Sequence, residues 1–529
     1  MDSPVLLTVG TGIVALGVVG SVYNAFRSTH QLPRPPGPKG YPLLGNIADM
    51  PGPDVLETEH WEKHKAKYGP ISSVTILGMT MVIINDPKIA IELFEKRSTK
   101  YSSRPKSYFA GEMIGWENAL GLAPYNHQFR VQRKSMGRVI GSKTSAANFS
   151  SLQEEEVGHF LLHVLDEPSN SISHIRRMAG AVMLKIAYGY NVDPFHDDAL
   201  VNMAGEVVTV FVQNALPFKW AVDMIPSLRF LPDWFPGTGF KQAARKWKAE
   251  LDHVIDLPYA FVKHQMAEGK DSTSFLAQLI EQESEDPELK ALNKWAASVL
   301  FSGGVDTTVA SITWCHLAMT LYPEAQKKAQ EEIDRVVGSD RLPTLADREN
   351  MPYIQALIKE VLRWHPGSPL GIPHTSTQDD VYNGYFIPKG SILLPNVGHF
   401  ASDPNTYDDP EVFRPERFLP TDGREPPLDP RSYVFGFGRR LCPGQYLAEN
   451  ALFLNISQTL AVFNISKKVV DGKVIEPVIS FSPGGISHPK PFANDIRPRS
   501  AHHEKLIRSL EDKYPWRESD KKIMDSLKI

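Results

Sequence analysis

Ten consecutive residues near the C-terminus, Phe435-Gly436-Phe437-Gly438-Arg439-Arg440-Leu441-Cys442-Pro443-Gly444, constrain this chain more than any other stretch. They set a lone cysteine in a glycine-rich loop, and an amphipathic helical pattern from about Gln445 to Phe463 follows directly. Backbone N–H groups around Cys442 and the positive end of that helix favour a thiolate over a thiol. Glycines at 436, 438 and 444 let the main chain lie close against something flat and bulky. Arg440 adds a cation beside it. A thiolate presented this way is one of the known protein ligands of haem iron, where its electron donation promotes O–O cleavage. A lone Cys-Pro-Gly would read as a buried free cysteine after a turn; the ten residues together point to the ligand.

The rest of the composition is that of an ordinary globular protein. The 529 residues are 42% hydrophobic and 22% charged, with formal net charge −4. A large core is therefore available, and the near-neutral balance gives no sign of nucleic-acid binding. Length alone suggests two to four domains, but no linker, repeat or low-complexity tract supports a split. Only two cysteines occur, Cys315 and Cys442. Two cannot build a disulfide framework or a four-cysteine zinc site, so a reducing compartment fits. Cys315 sits in an apolar helical run as core filler.

The N-terminus departs from this pattern. From Ser3 to Phe26 there is no charged residue over 24 positions, and about 20 such residues cross a bilayer. Arg27, Arg34 and Lys39 follow the span while Asp2 precedes it, which keeps the remainder of the chain cytoplasmic. A cleaved signal peptide is the competing reading, but the stretch is long and lacks both a basic n-region and a small-x-small cleavage site. Pro33-Arg34-Pro35-Pro36-Gly37-Pro38-Lys39-Gly40 then stiffens the chain as an extended spacer. Strand patterns follow at Ile71 to Ile76 and Met81 to Ile84, with Leu77-Gly78 as the turn. Helical patterns dominate from about Pro87 to Pro366. Strand and turn signals return around 372–396, notably Asn383-Gly384 between Val381-Tyr382 and Tyr385-Phe386-Ile387, and a weak β region covers 468–492. The fold class expected is mainly α with small β-sheets. Beyond Pro498 the charges are dense and apolar anchors few, as in a solvated helix or a flexible end.

Ala296 to Leu321 reads as a buried helix ended by Tyr322-Pro323, with Gly303-Gly304-Val305-Asp306-Thr307-Thr308 at its centre. Each helix glycine costs about 1 kcal/mol relative to alanine, and the carboxylate and hydroxyls carry a desolvation penalty. A locally widened helix with an acid and an alcohol would make an oxygen pocket and a proton route. A kinked helix whose Asp and Thr cap broken backbone bonds is the plainer alternative. Elsewhere, Glu360-Val361-Leu362-Arg363 places an acid and a base on one helix face, and Phe413-Arg414-Pro415-Glu416-Arg417-Phe418 follows at a distance.

These motifs together resemble the cytochrome P450 family, over nearly the whole chain from the proline-rich hinge to Ser487-His488-Pro489-Lys490-Pro491-Phe492. The resemblance implies a haem b cofactor with Cys442 as axial thiolate to the iron, in a loop that includes Phe435 and Gly444. It gives Asp306 and Thr307 the work of proton delivery for O–O cleavage. It joins Glu360, Arg363 and Arg417 in a buried structural network. Cations for the haem propionates would be Arg440, His374 and Arg133. Phe129 departs from the family pattern, which has tryptophan there. Gly115-Trp116-Glu117 looks most like fungal microsomal members of secondary metabolism, such as the O-methylsterigmatocystin oxidoreductase-like group.

The implied organisation is a transmembrane anchor over 1–27, a proline-rich hinge over 28–46, a haem-thiolate domain over 47–499 and a charged tail over 500–529. The implied activity is a monooxygenase inserting one oxygen atom from O2 into a largely apolar small molecule, in the endoplasmic reticulum membrane and facing the cytoplasm. No dinucleotide fingerprint appears, so electrons would come from a separate NADPH-cytochrome P450 reductase, with cytochrome b5 as an accessory donor. Two rivals remain: a reductase-independent haem-thiolate isomerase or dehydratase, against which the Asp306–Thr307 pair argues, and a non-enzymatic haem-binding sensor. Pocket walls would come from Phe109 to Leu122, Leu300 to Thr308, Ser368 to Ile372 and Pro483 to Ile486.

Overall fold

Leu77 and Gly78 both take positive φ (47° and 85°), and the turn they make folds β1 (Ile71–Ile76) against β2 (Met79–Ile84) in an antiparallel pair. The computed structural model describes residues 32–527, apart from 53–54, 271–272, 283–285, 421–422, 424 and 482–483. The apolar span from Ser3 to Phe26 lies outside the described residues. Among those described, no helix is long and apolar enough to cross a membrane.

The sheet is completed from the far end of the sequence. β3 (His374–Thr375) and β6 (Ile392–Pro395) give the order β1-β2-β6-β3, with β6 parallel to β2. Between them β4 (Asp380–Tyr382) and β5 (Tyr385–Ile387) form a hairpin. Its turn residues Asn383 and Gly384 have φ of 48° and 79°, the left-handed pair that a two-residue hairpin needs. β7 (Phe463–Lys467) pairs with β10 (Asn494–Pro498), and β8 (Val469–Val470) with β9 (Lys473–Val474).

Among the described residues eleven helices have eight residues or more. They are α1 (Glu57–Tyr68), α2 (His127–Ile140), α3 (Ser150–Asp166), α4 (Ser171–Tyr188), α5 (Ala199–Asn214) and α6 (Gly239–Ala267). The others are α7 (Pro287–Leu321), α8 (Pro323–Val336), α9 (Pro352–Trp364), α10 (Gln445–Val462) and α11 (Ala501–Arg508). α7 is the axis of the fold, packed against α4, α2 and α10. Pro287 sits in its first turn and the Asp286 carboxylate accepts the Glu288 N–H at 2.9 Å, a regular helix start. α10 differs from the amphipathic pattern expected: every residue from Leu452 to Val462 is buried, because α3, α7, α8 and α9 all pack on it.

The chain beyond Pro498 is largely exposed, as expected of a solvated helix, but it is anchored at a few points. Ile507, Leu510 and Met524 are buried. Trp516 stacks on His159 at 4.2 Å between ring centroids, and Arg517 clamps Glu155 with two hydrogen bonds of 2.8 and 2.7 Å. The anchors are few and widely spaced among charges, which is why they escape a periodicity reading. This segment closes a cavity against α3 and α4 that His159, His163, His174, Arg177 and Trp516 help to line.

Candidate active site

The loop before α10 is closed by one short hydrogen bond, from the Cys442 N–H to the Phe435 carbonyl at 2.7 Å. Gly436 and Gly438 have φ of 81° and 48°. A Cβ on Gly438 would stand 2.6 Å from the Phe94 carbonyl oxygen, so a neighbouring stretch of backbone demands that glycine. Gly444 has an ordinary φ of −92°. It borders the sulfur instead: a Cβ there would lie 4.0 Å from Cys442 Sγ. Burial pushes the Cys442 thiol pKa up, against the Gly444 N–H and Arg133, which pull it down. In the protein alone burial outweighs both. A metal cation at the sulfur would reverse the balance, since a coordinating thiol is deprotonated outright. Among the described residues no group of three or more His, Cys, Asp or Glu could hold a metal ion.

Beside the loop lies a cluster of buried cations. Arg440 is 8% exposed and donates to the carbonyls of Ser102 (2.7 Å), Leu120 (3.1 Å) and Ala123 (2.7 Å). Its guanidinium carbon stands 3.8 Å from the centre of the Phe129 ring, which gives the phenylalanine at that position a cation–π role. Burial and Arg133 push the Arg440 pKa down to about 9. Arg133, on α2, is half-buried and within electrostatic reach of Cys442. His374 is buried, stacks on Phe94 at 4.1 Å and places Nδ1 2.7 Å from the Tyr101 carbonyl. Burial and the neighbouring Arg104 and Arg440 hold its pKa well below the ordinary range in the protein alone; two propionates beside it would act in the opposite sense.

The additional cation is Arg104, which sequence reasoning missed. It is buried and donates to the carbonyls of Gly121 (2.9 Å), Ile372 (2.6 Å) and Pro373 (3.0 Å). A single arginine between serine and proline carries no sequence signal of such a role. None of Arg104, Arg133 and Arg440 pairs with a carboxylate among the described residues. Buried cations without counter-charges are costly, and a dianionic ligand is what they fit. Haem, with two propionates, meets that requirement.

The central stretch of α7 is unbroken helix. At Gly304 a Cβ would lie 2.5 Å from the Met183 methyl of α4, the far end of a flexible side chain; Gly303 faces open space. Thr307 Oγ1 donates to the Gly303 carbonyl at 2.9 Å and Thr308 Oγ1 to that of Gly304 at 2.7 Å. The hydroxyls thus bond back along the helix, without the local widening expected. Asp306 turns the other way, with Oδ2 3.1 Å from His488 Nε2 and Oδ1 3.9 Å from Arg176 Nη1. Burial raises its pKa, but His488 and Arg176 outweigh that and the net shift is downward.

Segments far apart in sequence meet around this stretch. Ser368 Oγ donates to the Gly485 carbonyl at 3.0 Å. Cβ atoms on Gly485, Gly121 and Gly367 would lie 3.7 Å from Val212, 3.6 Å from Ile372 and 3.9 Å from the Thr307 carbonyl. Phe109, Leu120 and Leu370 on these segments are buried apolar groups.

On α9, Arg363 Nε and Nη2 donate to the two Glu360 oxygens at 2.7 and 2.8 Å, and Nη1 to the Ala401 carbonyl at 2.7 Å. Arg417 Nε reaches Glu360 Oε1 at 3.1 Å, and its other nitrogens donate to the carbonyls of Asp408 and Val412. The Glu360 and Arg363 side chains are 0% and 1% exposed.

A family profile described as Cytochrome P450 matches residues 35–492. The chain is 47% identical to the cytochrome P450 monooxygenase claR of Ampulloclitocybe clavipes, over 97% of this chain and 94% of that protein. It is 46% identical to cytochrome P450 monooxygenase 208 of Postia placenta, over 96% and 98%. It is 40% identical to the O-methylsterigmatocystin oxidoreductase of Aspergillus flavus, over 92% of each chain.

Proposed function

The chain belongs to the cytochrome P450 family and is a haem-thiolate monooxygenase, and on that basis we propose that Cys442 is the axial ligand and Asp306 with Thr307 the proton-delivery pair. The observation that carries the assignment is the cluster of carboxylate-free cations beside the Cys442 loop, the buried Arg104 and Arg440 and the half-buried Arg133. When bound, haem supplies the iron at which O2 is reduced and one oxygen atom is transferred to substrate. Arg440 and Arg104 would hold the propionates together with Arg133 and His374. Electrons come from a redox partner, for which the NADPH-dependent diflavin reductase, assisted by cytochrome b5, is the natural donor. The buried apolar residues Phe109, Leu120 and Leu370 support a largely apolar substrate. The fungal relatives support a place in secondary metabolism.

The acid–alcohol pair makes a distinct prediction. Thr307→Ala should retain haem and substrate binding but divert electrons from NADPH into peroxide or water, because it removes the hydroxyl now held on the Gly303 carbonyl. Product formed per NADPH consumed should fall several-fold; unchanged coupling would remove Thr307 from the mechanism.

For location, we propose a single anchor at the N-terminus with the domain in the cytoplasm, at the endoplasmic reticulum membrane. Phe230 (74% exposed) and Trp234 (81% exposed), between α5 and α6, support a second, peripheral attachment. Deleting residues 1–27 should weaken membrane binding while leaving the haem spectrum intact. The sequons at Asn148, Asn455 and Asn464, of which Asn148 and Asn464 are exposed, should stay unmodified in a secretory-competent cell, since glycosylation is lumenal. A glycosidase-sensitive mobility shift traced to Asn148 would place the domain in the lumen.

A further inference from the structure

Asp306 meets a histidine that lies 182 positions further along the chain. His488 belongs to the segment after Gly485, and its position is fixed through its neighbour. The Ser487 N–H donates to the Gly367 carbonyl at 2.9 Å, and the Ser487 carbonyl accepts the Trp314 indole N–H at 3.0 Å. Trp314 stands eight residues beyond Asp306 on α7, about 12 Å along the axis. The helix that carries the acid therefore also clamps the segment that carries its partner. The His488 side chain is 29% exposed and that of Asp306 17%, so the imidazole bridges solvent and carboxylate.

We propose that His488 is a positioning residue for Asp306 that also relays protons to it from solvent, a proposal resting on the role given to Asp306 above. The charged groups facing Asp306 among the described residues are Arg176 on α4 and His488 on the C-terminal segment. Arg176 is permanently charged: it orients the carboxylate but exchanges no proton. Histidine exchanges protons between about pH 5 and 8. In the step proposed, the imidazolium gives its Nε2 proton to Asp306 Oδ2, leaving a neutral ring and a neutral carboxyl. The ring regains a proton from water, and the carboxyl passes its own toward the Thr307 side. One proton moves inward and no electron moves.

The test uses the full-length haem-bound enzyme with its reductase, reading product formed per NADPH from pH 6 to 8.5. Coupling in the unaltered enzyme should be highest at low pH and fall as the imidazolium is lost. His488→Gln keeps an N–H donor without titration, and His488→Arg keeps the ion pair without proton exchange. Both should lose coupling about three- to tenfold at the low end and become flat with pH. A His488→Arg enzyme matching the unaltered one would reduce His488 to an electrostatic anchor and overturn the relay. Independently of turnover, the His488 ring can be titrated by NMR in histidine-labelled protein as its diamagnetic carbon monoxide complex, identified by its loss in His488→Gln. Its ring resonances should shift in Asp306→Asn, and unmoved resonances would mean the contact is absent in solution. If Asp306→Asn leaves coupling intact, the reading of Asp306 itself fails. If Asp306→Asn uncouples while both His488 variants behave as the parent, only the relay falls.

Discussion

Replacing Cys442 with alanine is expected to abolish the red-shifted Soret band that reduced, carbon monoxide-treated protein should show, whereas Cys315→Ala should leave it. Only a thiolate donates enough charge to produce that band, and the two cysteines differ in every property that matters. Cys442 lies at the start of α10, with Gly444 and Arg133 lowering its pKa and burial raising it. Cys315 is 2% exposed in the apolar core of α7, and burial alone pushes its pKa up to about 12. Nothing near it can hold a thiolate. Truncating it removes one buried heavy atom, a loss on the order of 1 kcal/mol, which a folded haem protein tolerates. The reduced carbon monoxide difference spectrum, with total haem measured separately, checks both variants. Loss of the band in Cys315→Ala with retention in Cys442→Ala would reverse the assignment.

Arg363→Ala is expected to destabilise the protein by roughly 3–5 kcal/mol, because it leaves a buried carboxylate without its bidentate partner. Glu360 is fully buried, and Arg417 contacts it through Nε alone, its other nitrogens being spent on backbone carbonyls. Arg417 therefore cannot replace the fork that Arg363 supplies. Against a total stability of about 5–15 kcal/mol, such a loss should appear as poor haem retention and a lower thermal transition. Adding Glu360→Gln to Arg363→Ala should recover part of the loss, since the stranded charge dominates the cost. A single variant as stable as the parent in thermal and denaturant unfolding would show that the pair contributes little.

The sequence by itself determined the short-range features. A left-handed pair is needed between β4 and β5, and Asn383-Gly384 can adopt it. The apolar run to Leu321, stopped by Tyr322-Pro323, sets the C-terminal end of α7. The beginning of α7 lies nine residues before the run first read, because its opening turns are polar and carry no apolar period. The glycines and cysteine of the loop before α10 were legible as a motif, since local φ requirements and chemistry sit within ten residues.

Only the tertiary structure decided which charges meet. Arg104, Arg133 and Arg440 come from three separate segments, and no pattern in sequence sums their electrostatics. The same proximity, with burial, pulls the His374 pKa down, and the burial that pushes the Cys442 thiol up depends on the elements packed around it. The helical tail is held by Trp516 on His159 and Arg517 on Glu155, contacts spanning more than 300 positions. His488 faces Asp306 because Trp314 and Gly367 clamp its neighbour. Propensity and motif chemistry act over a few residues and are written in order along the chain. Burial and charge act through space, and they take their values only once the chain has folded.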